Sequence, residues 1–139
     1  MIVLDTNVLS EAVRPAPSST VLKWLAAQDP MGVFTTTITQ AEILYGVEVM
    51  PPGKRRTALS AATEQMFSKE FEGRILSFDE KSARWFASVV CGREAIGRPI
   101  SQMDAMIASI ARGCRAVVAT RNVSDFEFCG IGVVNPWEE

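Results

Sequence analysis

Met1-Ile2-Val3-Leu4-Asp5-Thr6-Asn7 places three successive apolar residues directly before an acid. The apolar run does not alternate with polar residues, so it reads as a strand buried on both faces. Asp5 then stands where a buried strand ends. A carboxylate at that position carries a large desolvation cost unless it is paired.

The rest of the chain repeats this pattern. Val33-Phe34-Thr35-Thr36-Thr37 is β-branched and aromatic, and predicts a second strand. Ile75–Phe78, Ala116–Thr120 and Ile131–Val134 predict three more. Helical stretches lie between them. A short one stops before Pro15 and Pro17. Ser18 or Ser19 can cap the next, to about Gln28, with Val21, Leu22, Trp24 and Leu25 on its inner face. Thr39 to about Met50 predicts a helix ended by Pro51-Pro52-Gly53, and Thr57 to about Phe71 another, preceded by Lys54-Arg55-Arg56. Asp79 caps a helix to roughly Ala95, and Ser101 opens one to about Arg112, with Gly113 as its stop. Short apolar strands alternating with helices imply an α/β sandwich around a mostly parallel sheet. Ligands in such folds bind at the carboxyl ends of the strands. Function is therefore expected just after Leu4, Thr37 and Ala119.

Composition narrows the chemistry. The 139 residues suit one domain, 1–139, with 47% apolar and 22% charged residues, which excludes disorder. No run approaches the roughly 18 apolar residues of a membrane span. The N-terminus reaches an acid too soon for a signal peptide. Histidine is absent. That removes His general bases, Ser-His and Cys-His pairs, and His-ligated zinc or haem. Cys91, Cys114 and Cys129 form no CxxC pair and are odd in number. They are expected to be reduced, mostly buried thiols of a cytoplasmic protein. The net charge of −2 favours no partner class. Residues 93–121 carry five arginines against Glu94 and Asp104. Such a bias reads either as a solvated face or as a phosphate-binding one. Trp24, Trp85 and Trp137 are assigned to packing.

Acids collect at the expected edge. Asp5 follows the first strand, and Glu42 is placed in the first turn of the helix after the second. Asp104 is placed in the first turn of the helix before the fourth, and Asn122 and Asp125 follow the fourth. Singly, each has a plain explanation. Thr39-x-x-Glu42 fits a capping box, Ser101-x-x-Asp104 nearly does, and Asn122 and Asp125 suit turns. Together they are harder to dismiss, because two carboxylates ~4 Å apart repel by about 4 kcal/mol at an effective dielectric near 20. Such a cluster needs a cation or retained protons. With no softer ligand available, the cation would be hard, Mg²⁺ or Mn²⁺, which suits phosphodiester hydrolysis.

These segments resemble the PIN-domain ribonucleases, in particular VapC-type toxins of type II toxin–antitoxin systems and their FitB-like branch. The resemblance lies in residues 1–11, Thr39–Val47, Asp104–Ala108, Ala119–Phe126 and Asn135-Pro136-Trp137, in order along the whole chain. It implies a three-layer α/β/α PIN fold with strand order 3-2-1-4-5. By the resemblance, Asp5, Glu42 and Asp104 form a metal site for Mg²⁺ or Mn²⁺. Asp5 and Asp104 would touch the ion most directly, and Glu42 would orient or deprotonate its water. Thr6 and Thr120 would supply supporting hydroxyls. The family's fourth acid aligns with Asn122, so Asp125 is the substitute candidate. Arg121 is the best candidate for gripping RNA phosphate, with Lys54-Arg55-Arg56 and the other arginines of 93–121 as further candidates.

The implied activity is hydrolysis of RNA, tRNA or mRNA, to a 5′-phosphate and a 3′-hydroxyl. The implied partner is a VapB-like antitoxin, which alone would contact operator DNA. Its tail would fill the toxin groove and send an Arg or Lys into the acidic pocket. The toxin is expected as a homodimer within a larger assembly. Asn122 also motivates an alternative, a catalytically weak domain acting mainly as an interaction partner. The Asp-x-Asp-x-Thr of haloacid-dehalogenase phosphatases is not met by Asp5-Thr6-Asn7-Val8-Leu9.

Overall fold

The computed structural model describes residues Met1–Glu139. Its strands are β1 (Ile2–Leu4), β2 (Val33–Thr36), β3 (Ile75–Leu76), β4 (Val117–Ala119) and β5 (Val133–Val134). Its α-helices are α1 (Thr6–Ala12), α2 (Ser19–Ala26), α3 (Thr37–Glu48), α4 (Lys54–Gln65), α5 (Glu80–Ala95) and α6 (Gln102–Gly113). The sheet order is β3-β2-β1-β4-β5, and every pairing is parallel.

The two faces of the sheet build separate cores. On one side Leu4 and Ala119 meet Val8 and Leu9 from α1, Val21 from α2, Ile43 from α3, and Met66 and Phe67 from the turn after α4. On the other, Val3 and Val118 meet Val89, Ile107, Ala108 and Ala111 from α5 and α6. Adjacent residues of one strand thus serve opposite layers, as the two-residue period of a strand requires. This explains why β1 and β4 are apolar throughout. Burying each large aliphatic side chain contributes about 1.5–3 kcal/mol. The result is the expected three-layer sandwich.

Several boundaries differ from the sequence reading. Thr36, not Thr39, caps α3, its hydroxyl accepting from the Thr39 amide at 3.1 Å. Thr39 is inside the helix, so Thr39-x-x-Glu42 is no capping box, and Glu42 sits in the second turn. Lys54-Arg55-Arg56 forms the first turn of α4 instead of preceding it, and Met66–Glu70 widens into a π-helical turn. Gly113 is the last residue of α6. The left-handed residue that turns the chain is Arg115, at φ 55°. Leu22 is 41% exposed, whereas Val21 is buried and Trp24 and Leu25 pack on the core. Only Cys129 of the three thiols is buried; Cys114 is intermediate and Cys91 exposed. No helix is long and apolar enough to cross a membrane.

Candidate active site

Asp5 ends β1 and caps α1 in the same step. Its amide continues the ladder to the Ala119 carbonyl at 2.9 Å. Its carboxylate accepts from the Thr6 amide and from the Thr120 hydroxyl, each at 2.8 Å. The group is only 6% exposed. Thr6, one residue further, donates its hydroxyl to Glu42 Oε1 at 2.9 Å and so ties α3 to α1. Thr39 contributes to the same contact, with its hydroxyl 3.1 Å from that of Thr6.

The β4 end mirrors this arrangement. The Thr120 hydroxyl accepts from the Asn7 side chain at 3.2 Å and from the Asn122 amide at 3.1 Å. Asn7 Oδ1 accepts from the Arg121 amide at 3.2 Å. Ser101 caps α6 by accepting from the Asp104 amide at 3.2 Å, which fixes Asp104 in the first turn as expected. Asp125 closes the short 3-10 turn Val123–Asp125.

Asp5, Thr6, Glu42, Asp104, Arg121, Asn122 and Asp125 all line one open cleft of about 470 Å³. Thr120 lies beneath it, bonded to Asp5. Residues from four distant segments therefore meet at one sheet edge. The cleft also includes Asn7, Ser10, Glu11 and Arg14, which the sequence reading did not single out. Their spacing, i, i+3, i+4 and i+7, is one face of α1 and its extension, and that periodicity was available as a signal. Glu11 is buried and held by the Ser18 amide and Arg14.

Burial dominates the electrostatics. Desolvation raises the Asp5 pKa from 3.8 to about 6, against the lowering effect of its two hydrogen bonds. Asp104 and Glu42 push it further in the same direction, but less. Asp104 is likewise raised, by burial first and by Asp125 and Glu42 after it, while Arg93 opposes the rise. Mutual repulsion, on which the sequence reading leaned, is thus real but secondary.

The donor set is entirely oxygen, which suits a hard divalent cation. As the side chains stand, no three acids are gathered closely enough to hold a metal ion together. An open site is what Mg²⁺ accepts, since it keeps several waters and binds through one or two carboxylates. Two carboxyl groups with raised proton affinity that line one open cleft fit such an ion.

The arginines divide by role. Arg121 lines the cleft, and its guanidinium lies 5.1 Å from the ring centroid of Trp137. Trp137 therefore both packs on the core and faces a cleft cation. Arg93 is 4% exposed and its side chain bonds main-chain carbonyls, so it cannot reach a phosphate in solvent. Arg112 is held by the Cys129 carbonyl and the Trp85 ring. Arg56 pairs with Glu48, and Arg98 with Glu127.

A strand-ordered sheet with acids at its switch point is the architecture of a PIN domain, and residues 2–127 match the PIN domain family model. The chain belongs to this family, in its VapC and FitB-like branch. It is 41% identical to the plasmid stability protein StbB of Pseudomonas syringae pv. tomato, with 99% of each chain covered. It is 39% identical to the VapC ribonuclease Y4jK of Sinorhizobium fredii, again with 99% of each covered. It is 37% identical to the toxin FitB of Neisseria gonorrhoeae, with 100% of each covered. Among solved structures it resembles a chain of FitAB bound to an IR36 DNA fragment, with TM-score 0.93 and 38% identity, covering 99% of this chain and 96% of that one.

Proposed function

We propose that this protein is a divalent-metal-dependent endoribonuclease, the toxin of a VapBC-type pair. The observation that carries this reading is the meeting of Asp5, Glu42, Asp104 and Asp125 in one cleft. The ribonuclease name of one relative and the toxin name of another support it.

Asp5 and Asp104 would hold Mg²⁺ or Mn²⁺, with Asp125, directly or through water, in place of the acid that Asn122 lacks. When bound, the ion supplies positive charge that lowers the pKa of water and offsets charge on a phosphodiester. Thr6 and Thr120 fix the carboxylates, so little reorganisation is needed when substrate arrives. Thr6 occupies Glu42 Oε1, which leaves Oε2 to accept a proton from the attacking water. Arg121 offers its charge to an RNA phosphate beside the carboxylates. The substrate is RNA, tRNA or mRNA, cut to a 5′-phosphate and a 3′-hydroxyl.

The partner is a VapB-like antitoxin. FitAB has been solved on a DNA fragment, which supports a partner that carries the DNA contact. A groove of about 710 Å³ between α1, α3 and α4 adjoins the acidic cleft, sharing Thr6, Ser10, Arg14 and Glu42 with it. Its apolar lining of Val13, Ile43, Val47, Met50 and Leu59 suits an antitoxin tail. The assembly would contain a toxin homodimer. Asn122 is the one observation favouring a catalytically weak interaction domain, and Asp125 in the same cleft weighs against it.

Purified protein incubated with RNA, with Mg²⁺ or Mn²⁺ or with EDTA, beside the Asp5→Asn variant, tests the reading. Cleavage should require the cation and vanish in the variant. Equal cleavage by both proteins would trace the activity to a contaminating nuclease and remove the proposal.

A further inference from the structure

Arg93 is the one buried cation that the proposed chemistry does not use. It projects from the last turn of α5, and no carboxylate pairs with it. Its Nε donates to the Arg98 carbonyl at 2.6 Å. Its Nη1 donates to the carbonyls of Asp125 at 2.9 Å and Glu127 at 3.1 Å, and approaches Cys129 Sγ at 3.7 Å. A guanidinium hydrogen-bonded only to carbonyls, with the Asp104 carboxylate near enough to feel its charge but not to pair with it, is costly, because dipoles offset less of its lost hydration than a paired carboxylate would. Its contacts show what that cost secures. Every one but the bond to Arg98 falls on the segment 125–129, whose first residue carries the cleft acid Asp125.

That segment is otherwise restrained at its two ends: the Asp125 and Phe126 amides donate to the Asn122 and Val123 carbonyls at 3.0 Å each, and Arg112 donates to the Cys129 carbonyl at 3.2 Å. It contains no strand or α-helix, and Phe128 adopts a left-handed φ of 62°. Phe126 and Cys129 anchor it in the core that Val89, Ile107, Ala108 and Ala111 build from α5 and α6. From the solvent side Arg98 assists, pairing with Glu127 at 3.3 Å, donating to the Ser124 carbonyl at 3.4 Å and stacking over Phe128 at 5.0 Å.

We propose that Arg93 is a positioning residue: its planar fork fixes the main chain of residues 125–127 and thereby sets where the Asp125 carboxylate stands in the cleft. Lysine would keep the charge but, as a single ammonium, cannot hold the Arg98, Asp125 and Glu127 carbonyls in one plane. The inference deepens the nuclease reading, and in its catalytic part rests on it.

The test is a double-mutant cycle on RNA cleavage in Mn²⁺, using Arg93→Lys, Asp125→Asn and the pair, with amide hydrogen exchange measured on each protein. Arg93→Lys should lose about 10- to 100-fold in kcat, the scale of a displaced catalytic group. In the Asp125→Asn background the same change should cost almost nothing further. Exchange at the Asp125 and Phe126 amides should quicken in Arg93→Lys while that of the α6 amides stays unchanged.

Additive losses would overturn the proposal, since Arg93 would then act by general stability. Unchanged exchange at 125 and 126 would overturn it as well. If Arg93→Lys fails to fold, Arg98→Ala replaces it in the same cycle. That variant loosens the same segment from its solvent side and should also lose activity non-additively with Asp125→Asn. A wild-type protein inactive on every RNA would defeat the nuclease reading, and the exchange data would still decide whether Arg93 holds the segment.

Discussion

Asp5 keeps its proton to about pH 6 because folding removes its carboxyl from water faster than two hydrogen bonds compensate. The consequence for stability has a definite sign. Below pH 3.8 the folded and unfolded chains both hold the proton, and no penalty exists. Between 3.8 and about 6 the unfolded chain has released it while the folded chain retains it, so stability falls as pH rises. Above that window the penalty is complete, at most about 3 kcal/mol. Asp104, raised in the same direction, steepens the slope. Asp5→Asn should therefore abolish RNA cleavage yet stabilise the protein at pH 7, by denaturant unfolding, and the gain should vanish near pH 4. A variant no more stable than wild type at pH 7 would contradict the burial account. The same scale decides the fourth acid. Asp125→Ala should cost about 10- to 100-fold in cleavage rate, and Asn122→Ala far less; the reverse ranking would show that Asp125 does not replace the missing carboxylate.

Each helix that presents a cleft acid is anchored by a cap, and the caps make predictions of their own. Ser101→Ala removes the acceptor for the Asp104 amide and should lower unfolding free energy by about 1 kcal/mol. It should also lower activity, because Asp104 lies in the turn so released. Thr36→Ala should cost at least as much, whereas a cap at Thr39 would leave that variant nearly neutral. Thermal melts of both distinguish the outcomes. Ser101 was legible from sequence because one Ser precedes one helix. Thr36 was not: Thr35, Thr36, Thr37 and Thr39 are equivalent in propensity, and only the pairing of Thr36 with Leu76 on β3 keeps it extended. The start of α4 was missed for a similar reason, since nothing in Lys54-Arg55-Arg56 itself marks a helical turn and Gly53 offers no side-chain cap. Asp5 and Asp104 were readable because one directly follows β1 and the other lies in the turn that Ser101 caps, whereas Glu42 was read through a capping box that the structure does not form. Arg93 was not, since only the folded chain shows that an arginine in a charged stretch points inward onto carbonyls.

The whole molecule makes the site through its strand order. β1 lies between β2 and β4, so the chain winds outward in opposite directions from one crevice. Asp5 after β1, Glu42 on the helix after β2, and Thr120 to Asp125 after β4 all open onto it. No local sequence pattern encodes that meeting; it follows from parallel pairing of short, doubly buried strands. A fold that concentrates carboxylates in one cleft should be stabilised by what neutralises them. Saturating Mg²⁺ at about 100 times its dissociation constant should add about 2.7 kcal/mol to the unfolding free energy of the wild type, and little to Asp5→Asn.

The most direct measurement is calorimetric titration of Mn²⁺ into chelator-stripped protein at pH 7.5, for the wild type and for the Asp5→Asn, Asp104→Asn double variant. The account predicts saturable binding to the wild type and its loss in the folded double variant. Equal binding to both, or no saturable binding to the wild type, would contradict it.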